Sequence, residues 1–333
     1  MIRIGIIALS LLILPLGCKK VPVDPPFDAS GVKVLVLNEG NFLWNNASFD
    51  LYNPKTEQLK ENVYKLANGK AMGDVLQSAA IINGNLWLVL NNSGKILVLD
   101  TQNFKEKFSI AGLRSPRYLY ESAGKVWISD LYAGMLTVVD ANSGKLLKKV
   151  QTGIWSEQFL NDGVGLTVAC YDGWLRRYDT LNMVIIDSIR LNTGLQWLQR
   201  DKFGRIWALA TDSGRSELFR IQPNDKSIKT YRFAAGKTAS RLCVSRSADT
   251  LFTLSQGLMA ISAESDQLPS KAIFSMAGSN FYGMQCDPYS GLIYFSDVGD
   301  FVSKSTVYRT DSRGHLYGNF KSGIITGGFL FYR

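Results

Sequence analysis

A single histidine, His315, occurs in 333 residues, so histidine-based acid–base catalysis and a multi-histidine metal site are excluded. The chain also has no GxSxG elbow, no Walker loop and no CxxC pair. The usual local signatures of serine hydrolases, P-loop nucleotide enzymes and thiol oxidoreductases are therefore missing. Basic runs and basic helices are absent as well. The formal charge of +9 is scattered along the chain, which argues against nucleic acid and suits an anionic membrane surface. Helical periodicity is sustained nowhere at length.

What is present is globular: 46% hydrophobic and 20% charged residues give ample material for a core. Length alone suggests two domains, although all-β domains often exceed the usual size. Arg3 followed by an apolar run from Ile4 to Leu16, too short to span a bilayer, reads as a signal peptide over residues 1–17. Leu16-Gly17-Cys18 resembles a bacterial lipobox, with Pro15 where leucine is usual. Cys18 would then carry lipid, and residues 18–31, rich in Pro and Lys, would be a tether. The alternative is an ordinary secretory signal with a chance cysteine. Cys170, Cys243 and Cys286 fall on expected strands and read as buried thiols, or as one pair between neighbouring inner strands plus one left over.

Seven short apolar runs repeat along the chain: VLVLN (34–38), LWLVLNN (86–92), VWISD (126–130), LTVAC (166–170), IWALA (206–210), LFTLS (251–255) and IYFSD (293–297). A strand such as PRYLYES precedes most of them. A turn, a strand such as KILVLDTQN and a further strand such as LLKKVQTG (146–153) follow. Four strands per unit of about forty residues is propeller spacing. The terminal TGGFLFYR (326–333) aligns with SPRYLYES (115–122), so the C-terminus should supply the inner strand of blade one. The reading is an all-β, seven-bladed propeller over residues 32–333, its four-stranded blades closed into a ring without a long open edge. A pair of β-sandwiches is the alternative that the regular spacing disfavours.

One loop then stands out. NEGNFLWNNAS (38–48) joins two strands but carries Phe42, Leu43 and Trp44 where turns are ordinarily small and polar. Strand counting puts it on the rim that also receives the links between blades. That rim should gather Phe42, Trp44, Tyr132, Trp155, Tyr171, Trp174, Trp197 and Tyr282 among Asn45, Asn46, Asn92 and Arg117. Rings with amide and guanidinium groups suit a bulky amide-bearing ligand or a partner surface. Trp127 and Trp207 lie within strands and should be core. Trp44, Trp174 and Tyr132 should be the exposed rings, with Trp155 and Trp197 divided between packing and binding. The opposite rim, with turns such as ANSGK and PNDKS, should be polar and plain. Asp130, Asp172, Asp212 and Asp297 end four of the apolar strands; capping of their own turns is preferred to a cation-binding carboxylate ring.

LNEGNF (37–42), GDVLQS (73–78), NNSGKILVLD (91–100) and GLRSPRY (112–118), behind the lipobox-like segment, resemble a family of Bacteroidetes surface propeller lipoproteins. These are YncE-like proteins related to the YVTN-repeat propellers. The resemblance implies a non-catalytic, lipid-anchored protein of the outer membrane, facing the cell surface or the periplasm. Through the cobalamin-binding members it implies capture of a corrinoid on the aromatic rim, for delivery to a TonB-dependent transporter. It brings no cofactor and no metal. The chain departs from the pattern in lacking the YVTN tetrapeptide itself and the acidic run often linked to surface export. Two further readings stand beside it: a propeller that docks on an envelope protein with no small ligand, and, less favoured, a carboxylate-and-metal hydrolase.

Overall fold

The apolar runs are apolar because the strands they form are covered on both faces. In the computed structural model, which describes residues 27, 28 and 31–333, Asn85–Leu90, Lys125–Asp130 and Leu166–Cys170 are buried along nearly their whole length. Side chains of a strand alternate between faces. Leu86, Leu88 and Leu90 therefore pack on Leu35 and Leu37, while Trp87 and Val89 pack on Val126 and Ile128. Each sheet is thus a wedge between two neighbours, and the core consists of the seams between wedges.

The described residues form seven antiparallel sheets, six of four strands and one of three. Blade one orders Thr326–Tyr332, Lys33–Asn38, Ser48–Tyr52 and Leu59–Lys60 from the axis outward. The C-terminal strand supplies its inner position, with Val34 opposite Phe331 and Leu35 opposite Leu330. The expected ring closure is therefore present. Blade six keeps Ser240–Val244, Thr250–Leu254 and Leu258–Ser262, and Phe274 makes only an isolated bridge to Leu258 where a fourth strand would run. One six-residue helix, Val63–Asn68, links blades one and two.

Trp87, Trp127 and Trp207 occupy matching places on the second strands of blades two, three and five and are fully buried in the seams. At roughly 25 cal/mol per Å² over 150–250 Å², each contributes an upper limit of about 4–6 kcal/mol. Turns between the third and fourth strands close on a carboxylate. Asp100, Asp140 and Asp179 each accept the backbone N–H groups two and three residues on. Asn53 does the same in blade one. Cys18 and residues 1–26 lie outside the described residues. Phe27 packs against the seam of blades one and two, and the Asp28 carbonyl accepts the Asn53 side chain at 2.7 Å.

Candidate functional site

Every inner strand after the first slips register near its start: between Leu76 and Ser78, Pro116 and Leu119, Ser156 and Phe159, Leu195 and Trp197, Ser240 and Cys243, and Phe281 and Met284. A bulge re-aims a side chain, and here it turns one residue per blade toward the axis. Gln77, Arg117 and Glu157 hold equivalent places on blades two, three and four. Arg117 bonds to both neighbours, with Nε 2.9 Å from Glu157 Oε2 and Nη1 against the Gln77 amide oxygen.

Across the axis, the Arg241 guanidinium lies over Trp197 at 4.6 Å and over Tyr282 at 4.7 Å, while its Nε donates to the Tyr282 carbonyl at 2.8 Å. Tyr118 meets Trp197 edge to face at 6.1 Å, a contact between blades three and five. Blade one has glycine, Gly327, at its matching position. Glu39 fills that slot, accepts the Tyr282 hydroxyl at 3.1 Å and sits 4.0 Å from Arg241. The channel mouth is therefore closed by a largely buried network of two arginines, two glutamates and three rings.

The charges tune one another. Burial pushes the Glu39 and Glu157 carboxyls above their ordinary value, opposed by Arg241 in the first case and Arg117 in the second. For Arg117, burial works against the charge, but Glu157, Tyr118 and Glu39 together outweigh it and the guanidinium is held more firmly protonated than usual. Burial, reinforced by Glu39, pushes the Tyr282 phenol up to about 12.

Around this plug stands the rim. The loop after Asn38 begins at Gly40, whose φ of +74° leaves no room for a side chain: a Cβ there would lie 2.8 Å from the Ala47 nitrogen. Asn46 accepts the Asn41 N–H at 2.8 Å, and Asn41 donates to the Phe301 carbonyl at 2.9 Å. Asp74, buried at the blade-two link, accepts the Leu43 N–H at 2.7 Å and the Asn92 amide at 2.5 Å. Leu43 is held at φ +69° and Asn45 at +53°. A leucine in that region costs on the order of 1–3 kcal/mol and persists only where surroundings impose it. The result is a fixed loop presenting Phe42, Leu43 and Trp44 at 64%, 75% and 74% exposure. Phe301 and Val302, also exposed, adjoin it.

A second aromatic group lies over blades three and four. Tyr132 meets Trp155 at 6.4 Å, and Trp155 meets Tyr171 at 4.2 Å, edge on. Tyr171 donates to Asp212 at 3.2 Å.

The twelve candidates thus separate. Phe42, Trp44, Asn45 and Tyr132 are exposed, and Trp155 and Tyr171 form a half-buried cluster. Asn46 and Asn92, though exposed, are tied into the loop's framework. Arg117, Trp197 and Tyr282 belong to the channel plug rather than the open rim. Trp174, expected to be exposed, is half-buried with Arg190 and Arg176 at 5.2 and 6.0 Å from its ring. Glu39, Gln77, Tyr118 and Glu157 were not singled out from sequence. The available signal was the forty-residue spacing of polar residues just after each inner strand begins.

The four recurrent aspartates do bond locally. Asp130 accepts the N–H groups of Arg114, Ser115, Tyr132 and Ala133. Asp172 accepts Trp174 N–H and pairs with Arg176, and Asp297 accepts Asn280 and Gly299 N–H. Asp212 accepts hydroxyls of Tyr171, Thr193 and Ser213. No group of three or more metal-ligating side chains occurs among the described residues.

The opposite rim is not plain. Its turns are polar, but the outer strands leaving them in blades three, four and five begin with exposed Leu146 and Leu147, Val184 to Ile186, and Ile228. Strand starts at the perimeter lack a covering neighbour, so their aliphatic side chains stay exposed although the turns before them are polar.

The fold is a closed propeller of seven blades with an aromatic rim at one face. The family described as "Domain of unknown function (DUF5074)" matches residues 33–314, and the chain belongs to it. No curated protein matches the sequence. Among solved structures, a quinonprotein alcohol dehydrogenase-like protein from Bacteroides thetaiotaomicron is similar at 14% identity and TM-score 0.68, over 90% of this chain and 77% of that one. Apo AztD from Citrobacter koseri is similar at 9% identity and TM-score 0.63, over 91% and 99%. BamB from Moraxella catarrhalis is similar at 15% identity and TM-score 0.57, over 78% of each chain. Likeness at these identities establishes the propeller fold. No helix among the described residues is long and apolar enough to cross a membrane.

Proposed function

We propose that the protein is a non-catalytic binding propeller of the bacterial envelope, lipid-anchored through Cys18, whose aromatic rim docks on a protein partner. The observation that carries this reading is the fixed loop presenting Phe42, Leu43 and Trp44 to solvent. Large rings held outward at strain are anchors for a partner's pocket, and holding them rigid in advance lowers the ordering cost of association. A convex group of rings is also unlike the concave cavities that enclose small ligands. The single histidine, the absence of a nucleophile motif and the absence of a metal-ligating group among the described residues support a role without catalysis.

Corrinoid capture for a TonB-dependent transporter is the second reading. The Tyr132–Trp155–Tyr171 cluster favours it, because Arg114 Nη1 donates to the Tyr132 carbonyl and stands beside rings able to cover a flat, amide-rich ligand. Two experiments decide. A photo-crosslinking residue at position 44 should trap one outer-membrane protein, and Phe42→Ala with Trp44→Ala should abolish co-purification with it. Calorimetric titration with cyanocobalamin should give no heat. Sub-micromolar binding weakened by Tyr132→Ala or Trp155→Ala would instead make corrinoid capture the function.

A further inference from the structure

We propose that the opposite rim of blades three to five is a membrane-facing surface, set to place aliphatic side chains among the headgroups of an anionic bilayer. The orientation rests on the lipid-anchor reading of Cys18; the surface itself does not. Leu146, Leu181, Ile185, Ile186 and Phe203 are all about half exposed or more, on neighbouring blades at one rim. Hydrogen bonds show that they form one sector: Lys148 of blade three donates to the Asn182 carbonyl of blade four, and Lys226 of blade five pairs with Asp187 of blade four.

The fold does not demand these residues. In blade two the same outer strand begins with Glu106 and Lys107, and Glu106 is bonded to Tyr64 and Lys70. Contiguous exposed aliphatics on a soluble domain mark an interaction surface.

Two observations specify a bilayer as the occupant. The first is charge. Lys145, Lys149 and Arg200 border the sector and make no ion pair among the described residues; Lys202, paired with Glu264, lies 4.9 Å from the Phe203 ring, and Arg205, at 4.5 Å, is neutralised by Asp201. Long cationic stems beside aliphatic side chains are the composition that seats at a headgroup boundary. The second is where the chain enters. Asp28 is held by Asn53, in the turn that follows the third strand of blade one. That turn lies on this same rim. The ten-residue step from Cys18 to Asp28 spans at most about 35 Å, so an anchored Cys18 keeps this rim close to the bilayer. The aromatic rim is then left facing outward, free for its partner.

The test uses the protein with Cys18→Ser, which has no lipid of its own, pelleted with vesicles of phosphatidylethanolamine and phosphatidylglycerol. Binding is expected, at least about tenfold stronger than to phosphatidylcholine alone. The pair Ile185→Ser and Ile186→Ser, and separately Lys145→Glu with Lys149→Glu, should each weaken it by about tenfold. Circular dichroism melts of these surface variants should match the parent. Phe42→Ala with Trp44→Ala should leave vesicle binding unchanged, which separates this surface from the docking rim. The inference is overturned if the parent does not pellet, or if the patch variants pellet as the parent does. It is also overturned if light scattering shows a dimer that the Ile185/Ile186 pair converts to monomer, because a second copy would then be the occupant.

Discussion

Arg117 on blade three and Glu157 on blade four form an ion pair at 2.9 Å, and only 18% and 4% of their side chains is exposed. The same guanidinium reaches Gln77 on blade two. A propeller is held chiefly by apolar seams, which slide more readily than hydrogen-bonded networks. This polar junction at the bulges fixes three blades against one another at the channel mouth.

Replacing Arg117 by Met should cost about 3–5 kcal/mol, because it strands the Glu157 carboxylate in a buried site. Adding Glu157→Leu should recover much of that loss, since a well-packed apolar pair often equals a buried ion pair. Urea unfolding of both variants measures it. A single variant as stable as the parent would show that water reaches the channel and solvates Glu157.

Two groups of carboxyls should shape the pH dependence in opposite directions. Asp140 is held below 3.8 by the Ser143 hydroxyl and turn N–H groups, Asp179 by Asn182, and Asp100 by the N–H groups of Gln102 and Asn103. Their contribution is present above pH 3.8 and is lost as pH falls below it. Glu39 and Glu157 are pushed above 4.5 by burial. The folded state then holds protons that the unfolded chain releases, so stability declines as pH rises from 4.5 through the raised values. Denaturation midpoints from pH 3 to 7 should fall steeply on the acid side and gently on the other. Glu39→Gln should flatten the gentle limb, and an unchanged limb would contradict the assignment.

The blades were legible because burial on both faces writes an uninterrupted apolar run and each turn writes its own residues. Leu86 to Leu90 and the Asp100 turn are examples. Closure by Thr326–Tyr332 was legible for the same reason, since that strand copies its counterparts. The channel network was legible in part: Arg117, Trp197 and Tyr282 were expected on this rim. Glu157 looks like an ordinary surface charge until the bulge brings it to Arg117, and register shifts leave no mark in composition. Trp174 misled because its place at the junction of a turn and a strand says nothing of Arg176 and Arg190, which cover it. Blade six lost its fourth strand although the spacing of its apolar run is ordinary.

Asp74 should govern the docking loop without touching a partner. Its Oδ2 accepts both the Leu43 N–H and the Asn92 amide. Asp74→Ala removes the constraint that keeps Leu43 at φ +69°, and the loop should relax. The expected result is faster proteolytic cleavage between residues 40 and 46 and a weaker partner crosslink from position 44, with global stability reduced by only about 1–2 kcal/mol. Cleavage at the parent's rate would show that Gly40 and Asn46 suffice to hold the loop.

Cys243 and Cys286 offer the sharpest chemical prediction. Their sulfurs lie 2.8 Å apart on the inner strands of blades six and seven, both thiols free and buried. Burial, and then Cys243 itself, pushes the Cys286 thiol well up, so the folded protein should resist oxidation. Refolding in glutathione disulfide should couple the pair: the two thiols give up two protons and two electrons, two glutathione molecules are released, and the mass falls by about 2 Da. The bond would tie the three-stranded blade to its neighbour across 43 residues, which chain-entropy reasoning values at about 4 kcal/mol. Cys170, facing the Thr152 hydroxyl at 3.4 Å, should stay free. Denatured protein refolded this way should show one reactive thiol among these three and a higher melting temperature that reductant reverses. Three reactive thiols would mean that the seam closes before the sulfurs can exchange.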